Sequence, residues 1–127
     1  MPYSLSIAAV LALLLIALSV NVSRLRLRYR VSFGDAGNPA LTAAIRAHGN
    51  SLEQSVLFIL LLYFIDTATS LNSAWVLGLG IGFVVLRLTY CWALFSRRLR
   101  GRQVSHGLSM LVLLLTTLML LSEGVGA

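Results

Sequence analysis

Along the chain, apolar positions gather into four long runs separated by short polar stretches: Tyr3 to about Ser23, about Ile45 to Thr67, about Leu71 to Phe95, and Val104 to Ser122. Each run is close to the roughly 20 residues that an α-helix needs to cross a hydrocarbon core of about 30 Å. The backbone finds no water to bond in that layer, so spans of this length are helices. The pattern predicts an all-α membrane protein, with four transmembrane helices in an antiparallel bundle that forms one domain over residues 1–127. The stretch Gly34-Asp35-Ala36-Gly37-Asn38-Pro39 is turn chemistry and marks the break between the first two helices. The alternation Arg24-Leu25-Arg26-Leu27-Arg28-Tyr29-Arg30 has the period of a strand. Beside a bilayer it reads better as a helix end that runs past the membrane, with its arginines reaching back to water. Gly78 and Gly82 give a small-xxx-small spacing suited to close helix packing.

Composition sharpens this picture. The chain has 127 residues, of which 58% are hydrophobic and 11% charged, and a mean hydropathy of +0.90. A soluble domain of this size could not bury so much apolar surface. The net charge of +6 does not point to nucleic acid, because the arginines cluster in two short connections between apolar runs. They are Arg24, Arg26, Arg28 and Arg30 after the first run, and Arg97, Arg98, Arg100 and Arg102 after the third. By the positive-inside rule both connections are cytoplasmic and both termini lie on the other side. The middle connection, near Asp66 to Asn72, has neither Lys nor Arg and reads as an external hairpin. No charge precedes the first run, which is the reverse of a signal peptide, so this helix is expected to stay in the mature protein. Asp66 is expected in solvent and Trp75 as an anchor at the outer interface. Cys91 is the only cysteine, so there is no intrachain disulfide and no cysteine-based metal cluster, and it reads as a packed apolar residue. His48 and His106 are not spaced as a metal pair.

The most informative tract is Arg46-Ala47-His48-Gly49-Asn50-Ser51-Leu52-Glu53, which carries a cation, an amide and a carboxylate into the start of the second apolar run. At about 100° per residue, Arg46, Asn50 and Glu53 fall within an arc of roughly 60°. Glu53 lies roughly 10 Å deeper than Arg46, where an isolated carboxylate is costly and needs a partner or a polar cleft. Arg87 in the third run sits roughly 15 Å inside Arg97, near the midplane. Glu53 is the expected partner of Arg87, in a pair that fixes helix register, shapes a ligand cleft, or does both. Tyr90, three residues from Arg87, shares its face.

The tract at 46 to 53 resembles the Arg-Ala-x-x-Asn-x-x-Glu signature of the MAPEG family, the membrane-associated proteins in eicosanoid and glutathione metabolism. The resemblance covers most of the chain. It extends to the four spans, the Arg-rich first connection, Arg87-Leu88-Thr89-Tyr90 in the third span and the basic third connection. The short length, with Arg28-Tyr29-Arg30-Val31 followed by Phe33-Gly34-Asp35, looks most like a bacterial inner-membrane branch.

What the resemblance implies is a homotrimer that binds glutathione as a co-substrate in clefts between subunits near the cytoplasmic side. Arg46, Asn50, Glu53 and Tyr90 match positions that hold the tripeptide, and Arg26 and Arg87 complete the candidate binding set. Glutathione carries two carboxylates and one ammonium, so cations and a carboxylate are the groups such a site needs. In active members an arginine near the start of the fourth helix stabilises the thiolate, and Arg100 and Arg102 both stand in that region. Leu94 departs from the family by replacing a second tyrosine found in some members. The expected activity is that of a glutathione transferase or peroxidase acting on lipophilic electrophiles or hydroperoxides that enter from the bilayer, with no role for nucleic acid. The alternative is a non-catalytic lipid-binding or scaffold trimer. A small multidrug exporter also fits four spans and an intramembrane carboxylate, but the strong positive-inside bias argues against it.

Overall fold

The computed structural model describes residues 3–68 and 72–126, and its elements are four helices: α1 (Tyr3–Tyr29), α2 (Pro39–Ala68), α3 (Ser73–Phe95) and α4 (Leu99–Gly126). No strand occurs among the described residues. α1 runs unbroken through the Arg-Leu alternation to Tyr29, as a helix end continuing past the apolar run. The centre of the middle connection, residues 69–71, lies outside the described residues. Three helices, α1, α3 and α4, are long and apolar enough to cross a membrane. α2 is the longest at 30 residues, but it carries Arg46, His48, Asn50, Glu53 and Gln54 up to its midpoint.

Packing explains why α2 can be the most polar of the four. α1 packs on α2 and α3, and α4 packs on the same two, whereas α1 and α4 do not meet among the described residues. α2 and α3 therefore form the inner diagonal of the bundle, where polar groups can bond one another away from lipid. The inner stripe of α2 is Leu41, Ala44, Ala47, Ser51, Ser55, Phe58, Leu62 and Ile65, all buried at helical spacing. Away from the arginine-rich connections, Ile7, Leu11, Phe58, Leu62, Ile65, Val76, Phe83 and Leu113 form the main apolar core. Phe58 and Phe83 stack within it at 4.1 Å between centroids. A second cluster, Leu18, Ala47, Tyr90, Cys91 and Leu94, lies nearer the arginine-rich ends. Cys91 is buried there, 3.7 Å from the Ser51 hydroxyl.

The helix ends follow local chemistry. Pro39 opens α2, and the Asn38 side chain accepts from the amides of Ala40 and Leu41 at 3.0 and 3.2 Å. Asn72 caps α3 through a bond from the Ala74 amide. α1 and α3 both close with an arginine in the left-handed region, Arg30 (φ 55°) and Arg97 (φ 57°). In each case the next amide, Val31 or Arg98, reaches back five residues to the carbonyl of Arg26 or Ala93. These two closures turn the chain sharply at each arginine-rich connection.

Two expectations are corrected by the packing. Gly78 and Gly82 face open space within the protomer, and Gly80 is the glycine at the helix contact. A Cβ built on Gly80 would stand 2.6 Å from Ile7 Cγ1, so α1 approaches α3 closely there. Asp66, expected in solvent, is half-buried and accepts the Ser4 amide in the first turn of α1 at 2.9 Å. A carboxylate at a helix N-terminus satisfies an amide that has no intrahelical acceptor.

Candidate functional site

The polar half of α2 faces α3 and α4 across a belt of buried hydrogen bonds. Arg87 is fully buried at its centre. One Nη donates to Asn50 Oδ1 at 2.7 Å and the other to Ser109 Oγ at 3.1 Å. The guanidinium carbon also stands 4.6 Å from the Tyr90 ring centroid and 5.8 Å from that of Phe83. Its Nε has no partner. The Ser109 hydroxyl donates to the Ser105 backbone carbonyl, and the Ser105 hydroxyl to the Gly101 backbone carbonyl one turn earlier. Both hydroxyls thus bond carbonyls of α4 itself, toward the arginine-rich end.

The expected Glu53–Arg87 ion pair is not formed. Glu53 is exposed on the side of α2 that turns away from the bundle. The reason is helical phase: Glu53 follows the buried Ser51 by two residues, which places it about 160° from the inner stripe. Asn50 lies between the two directions. Its amide reaches inward to Arg87 while its other side borders solvent-accessible space.

That space is an open cavity of about 250 Å³ lined by Arg46, Asn50, Tyr90, Arg102, Gln103 and His106. It brings together four of the residues singled out from sequence: Arg46 and Asn50 from α2, Tyr90 from α3 and Arg102 from α4. Arg87 stands behind its wall, linked through Asn50 and Tyr90. Gln103 and His106 were not anticipated. The His106 ring lies 6.0 Å from that of Tyr90, and its Nδ1 is 3.3 Å from the Gln54 amide nitrogen. That amide also lies 3.2 Å from the Met110 sulfur. Helical arithmetic could have found His106, because it follows Arg102 by four residues and so shares its face.

Three other candidates stand elsewhere. Glu53 is outside the cavity on the exposed face of α2, and Arg100 is exposed and does not line it. Arg26 is used by its own connection, donating to the carbonyls of Gly34 at 2.8 Å and Val31 at 3.4 Å. The same connection is fixed by Asp35, which accepts the Gly37 amide at 2.9 Å and the Thr42 hydroxyl at 2.7 Å. These two donors hold the Asp35 carboxyl below its ordinary pKa, and the charge of Arg46 adds to the effect.

The cavity therefore offers two cations, two amides, a phenol and an imidazole around one opening at the arginine-rich end of the bundle. Such a set suits an anionic, hydrogen-bonding ligand rather than a metal ion or an apolar one.

Comparison with known proteins agrees with this architecture. The model of the MAPEG family matches residues 4–122. The inner membrane protein YecN of Escherichia coli K12 is 36% identical over 94 residues, covering 72% of this chain and 69% of that protein. The protein of the same name from Escherichia coli O6:H1 matches to the same extent. No solved structure matches. With a family match over nearly the whole chain and three membrane-crossing helices, the protein is an integral membrane protein and belongs to the MAPEG family.

Proposed function

We propose that the protein binds glutathione and uses its thiol against lipophilic electrophiles or hydroperoxides, as a homotrimer of four-span protomers with both termini on the non-cytoplasmic side. The observation that carries this reading is the convergence of Arg46, Asn50, Tyr90 and Arg102 on one polar cavity. Of the two guanidiniums there, Arg46 suits a carboxylate of the tripeptide and Arg102 its thiolate. The cavity of about 250 Å³ is below the roughly 300 Å³ at which ligand pockets usually begin. A neighbouring protomer that covers the exposed face of α2 would enlarge it and bring Glu53 to its edge, where the carboxylate can meet the ligand ammonium. Assembly of this kind also relieves a carboxylate that otherwise faces lipid. α2 then crosses the membrane as the inner helix of its own bundle, shielded by the other three.

In the transfer reaction the bound thiol releases its proton. The thiolate sulfur then forms a bond to the electrophilic carbon as the leaving group departs with its electron pair. With a hydroperoxide, two glutathione molecules are oxidised to the disulfide while the O–O bond is reduced to an alcohol and water. Arg102, on the first turn of α4, is the cation assigned to the thiolate, since a nearby positive charge lowers a thiol pKa. The polar co-substrate enters from the aqueous end, and the lipophilic one comes laterally from the bilayer.

Calorimetric titration of the purified protein with glutathione tests the reading. Saturable binding is expected, and Glu53→Gln should weaken it by about 1–3 kcal/mol, the scale of a lost charged hydrogen bond. Thiolate absorbance near neutral pH is expected on mixing, because the free thiol titrates at about 8.5. Arg102→Gln should remove that absorbance and leave most of the affinity. A second reading is favoured by Leu94, which is buried among apolar residues and brings no hydroxyl to the site. Glutathione binding with neither thiolate signal nor turnover would make the protein a non-catalytic binding scaffold. No saturable binding at all would defeat the thiol reading.

A further inference from the structure

A second cavity, of about 380 Å³, opens beside the first and shares Arg46 and Arg102 with it. Arg97 and Arg98 complete its polar wall, and no carboxylate lines it. Four guanidiniums around one opening repel one another unless an anion sits among them. The Arg98 guanidinium lies 4.9 Å from the Trp92 ring centroid, which limits its freedom to turn away. The arginine-lined space has an apolar side built by Ala93, Leu94 and Leu99.

Leu94 and Arg97 also border a third cavity, of about 470 Å³, which runs toward α1 over Ala17, Leu18, Leu25 and Phe95. Asn21 and Arg24 line this third cavity as well, so each of the two joined spaces combines arginines with an apolar wall. The 380 Å³ cavity lies between the start of α2, the end of α3 and the start of α4, and the third cavity continues from it to the end of α1, so both stand at the arginine-rich end of the bundle. Phosphates of the bilayer stand at that level, and basic pockets between membrane helices are suited to their headgroups.

We infer that these joined cavities hold an anionic phospholipid, with its phosphate among Arg46, Arg97, Arg98 and Arg102 and its acyl region along Leu18, Leu25 and Phe95. The paired geometry of guanidinium donors matches phosphate oxygens, and the adjoining apolar groove distinguishes a lipid from a free phosphate ion. The inference shares Arg46 and Arg102 with the thiol reading, but Arg97 and Arg98 do not line the cavity that holds Asn50 and Tyr90, so substitutions at those two positions test it separately.

The test is native mass spectrometry of the detergent-purified protein, titrated with phosphatidylglycerol and with phosphatidylcholine of the same acyl chains. Phosphatidylglycerol is expected to bind more tightly by about tenfold or more, since each arginine near a lipid surface contributes about 1 kcal/mol. The double variant Arg97→Asn with Arg98→Gln should abolish that preference, with Asn chosen because it tolerates the positive φ at 97. A control with the same charge loss, Arg28→Gln with Arg30→Asn, should keep the preference, as should glutathione affinity in the first variant. Equal binding of the two lipids by the unaltered protein overturns the inference whatever the variants do. Equal losses in the two double variants also overturn it, by showing a diffuse charge effect. Inorganic phosphate displacing phosphatidylglycerol at millimolar concentration overturns the lipid assignment in favour of a free-phosphate site.

Discussion

The Arg87 belt makes an asymmetric prediction: removing the buried charge should be milder than removing its acceptor. Arg87→Met deletes two charge-assisted hydrogen bonds, each worth about 1.5–3 kcal/mol in mutational series. It also deletes the desolvation of a fully buried guanidinium whose Nε has no partner, an opposing term of several kcal/mol for a buried ion. The groups left behind are not stranded. Asn50 borders the open cavity, and Ser109 still donates to the Ser105 carbonyl. The net loss should therefore be about 1 kcal/mol or less. Asn50→Leu, by contrast, keeps the charge in place and removes its shortest bond, at 2.7 Å. About 2–3 kcal/mol of destabilisation is expected there. In the double variant the Asn50 substitution should add little, giving a coupling of about 2–3 kcal/mol between the two positions. The assay is reversible denaturation in mixed micelles, followed by far-ultraviolet circular dichroism without ligand. Arg87→Met proving more damaging than Asn50→Leu would refute the reasoning, as would strong coupling between Arg87→Met and Glu53→Gln.

Two further outcomes follow from the same structure. Gly80→Ala puts a methyl group 2.6 Å from Ile7 Cγ1 and should cost about 1–3 kcal/mol, largely recovered when Ile7→Ala is added; Gly78→Ala and Gly82→Ala should be nearly silent in the same denaturation assay. A silent Gly80→Ala would show that α1 and α3 are not in close contact there. The Asp35 carboxyl has a folded pKa below its unfolded value, so the order it gives the first connection is present above the ordinary aspartate range and lost as pH falls through the lowered value. Hydrogen exchange over residues 31–42, corrected for intrinsic rate, should show protection near neutrality that disappears once pH falls well below the ordinary aspartate range, and undiminished protection there would count against the Asp35 contacts.

The number and order of helices were legible because membrane spans write themselves as long apolar runs, whereas α2 begins at Pro39, ahead of the apolar run expected from about Ile45, because the Asn38 side chain caps it there. The facing of α2 was only half legible. Counting around the helix groups Arg46, Asn50 and Glu53 correctly, but it does not say which edge of that arc points inward. That is decided by the small residues Ala44, Ala47 and Ser51, which let α2 enter the diagonal of the bundle. Glu53 was therefore matched with Arg87 on charge, whereas packing supplied the neutral partners Asn50 and Ser109. Arg26 stands in the candidate binding set by its place in the arginine-rich connection, whereas its bonds to Gly34 and Val31 depend on a turn visible only in three dimensions. His106 was judged by metal spacing alone, and its position four residues after Arg102 was left unused.

The place of Arg87 between Asn50 and Ser109 also bears on how the chain enters its membrane. Helices emerge from the ribosome in order, so α3 meets the lipid after α2 and before α4. A lone arginine at a helix centre opposes insertion by about 2.5–3.5 kcal/mol on translocon scales. At that moment Asn50 is already in place and Ser109 has yet to be synthesised. α2 thus acts as a docking helper for the third helix during synthesis, and α4 seals the arrangement afterwards. A truncated chain beginning at α3 should be integrated less efficiently than the same segment preceded by α2, and Asn50→Leu should reproduce most of that deficit.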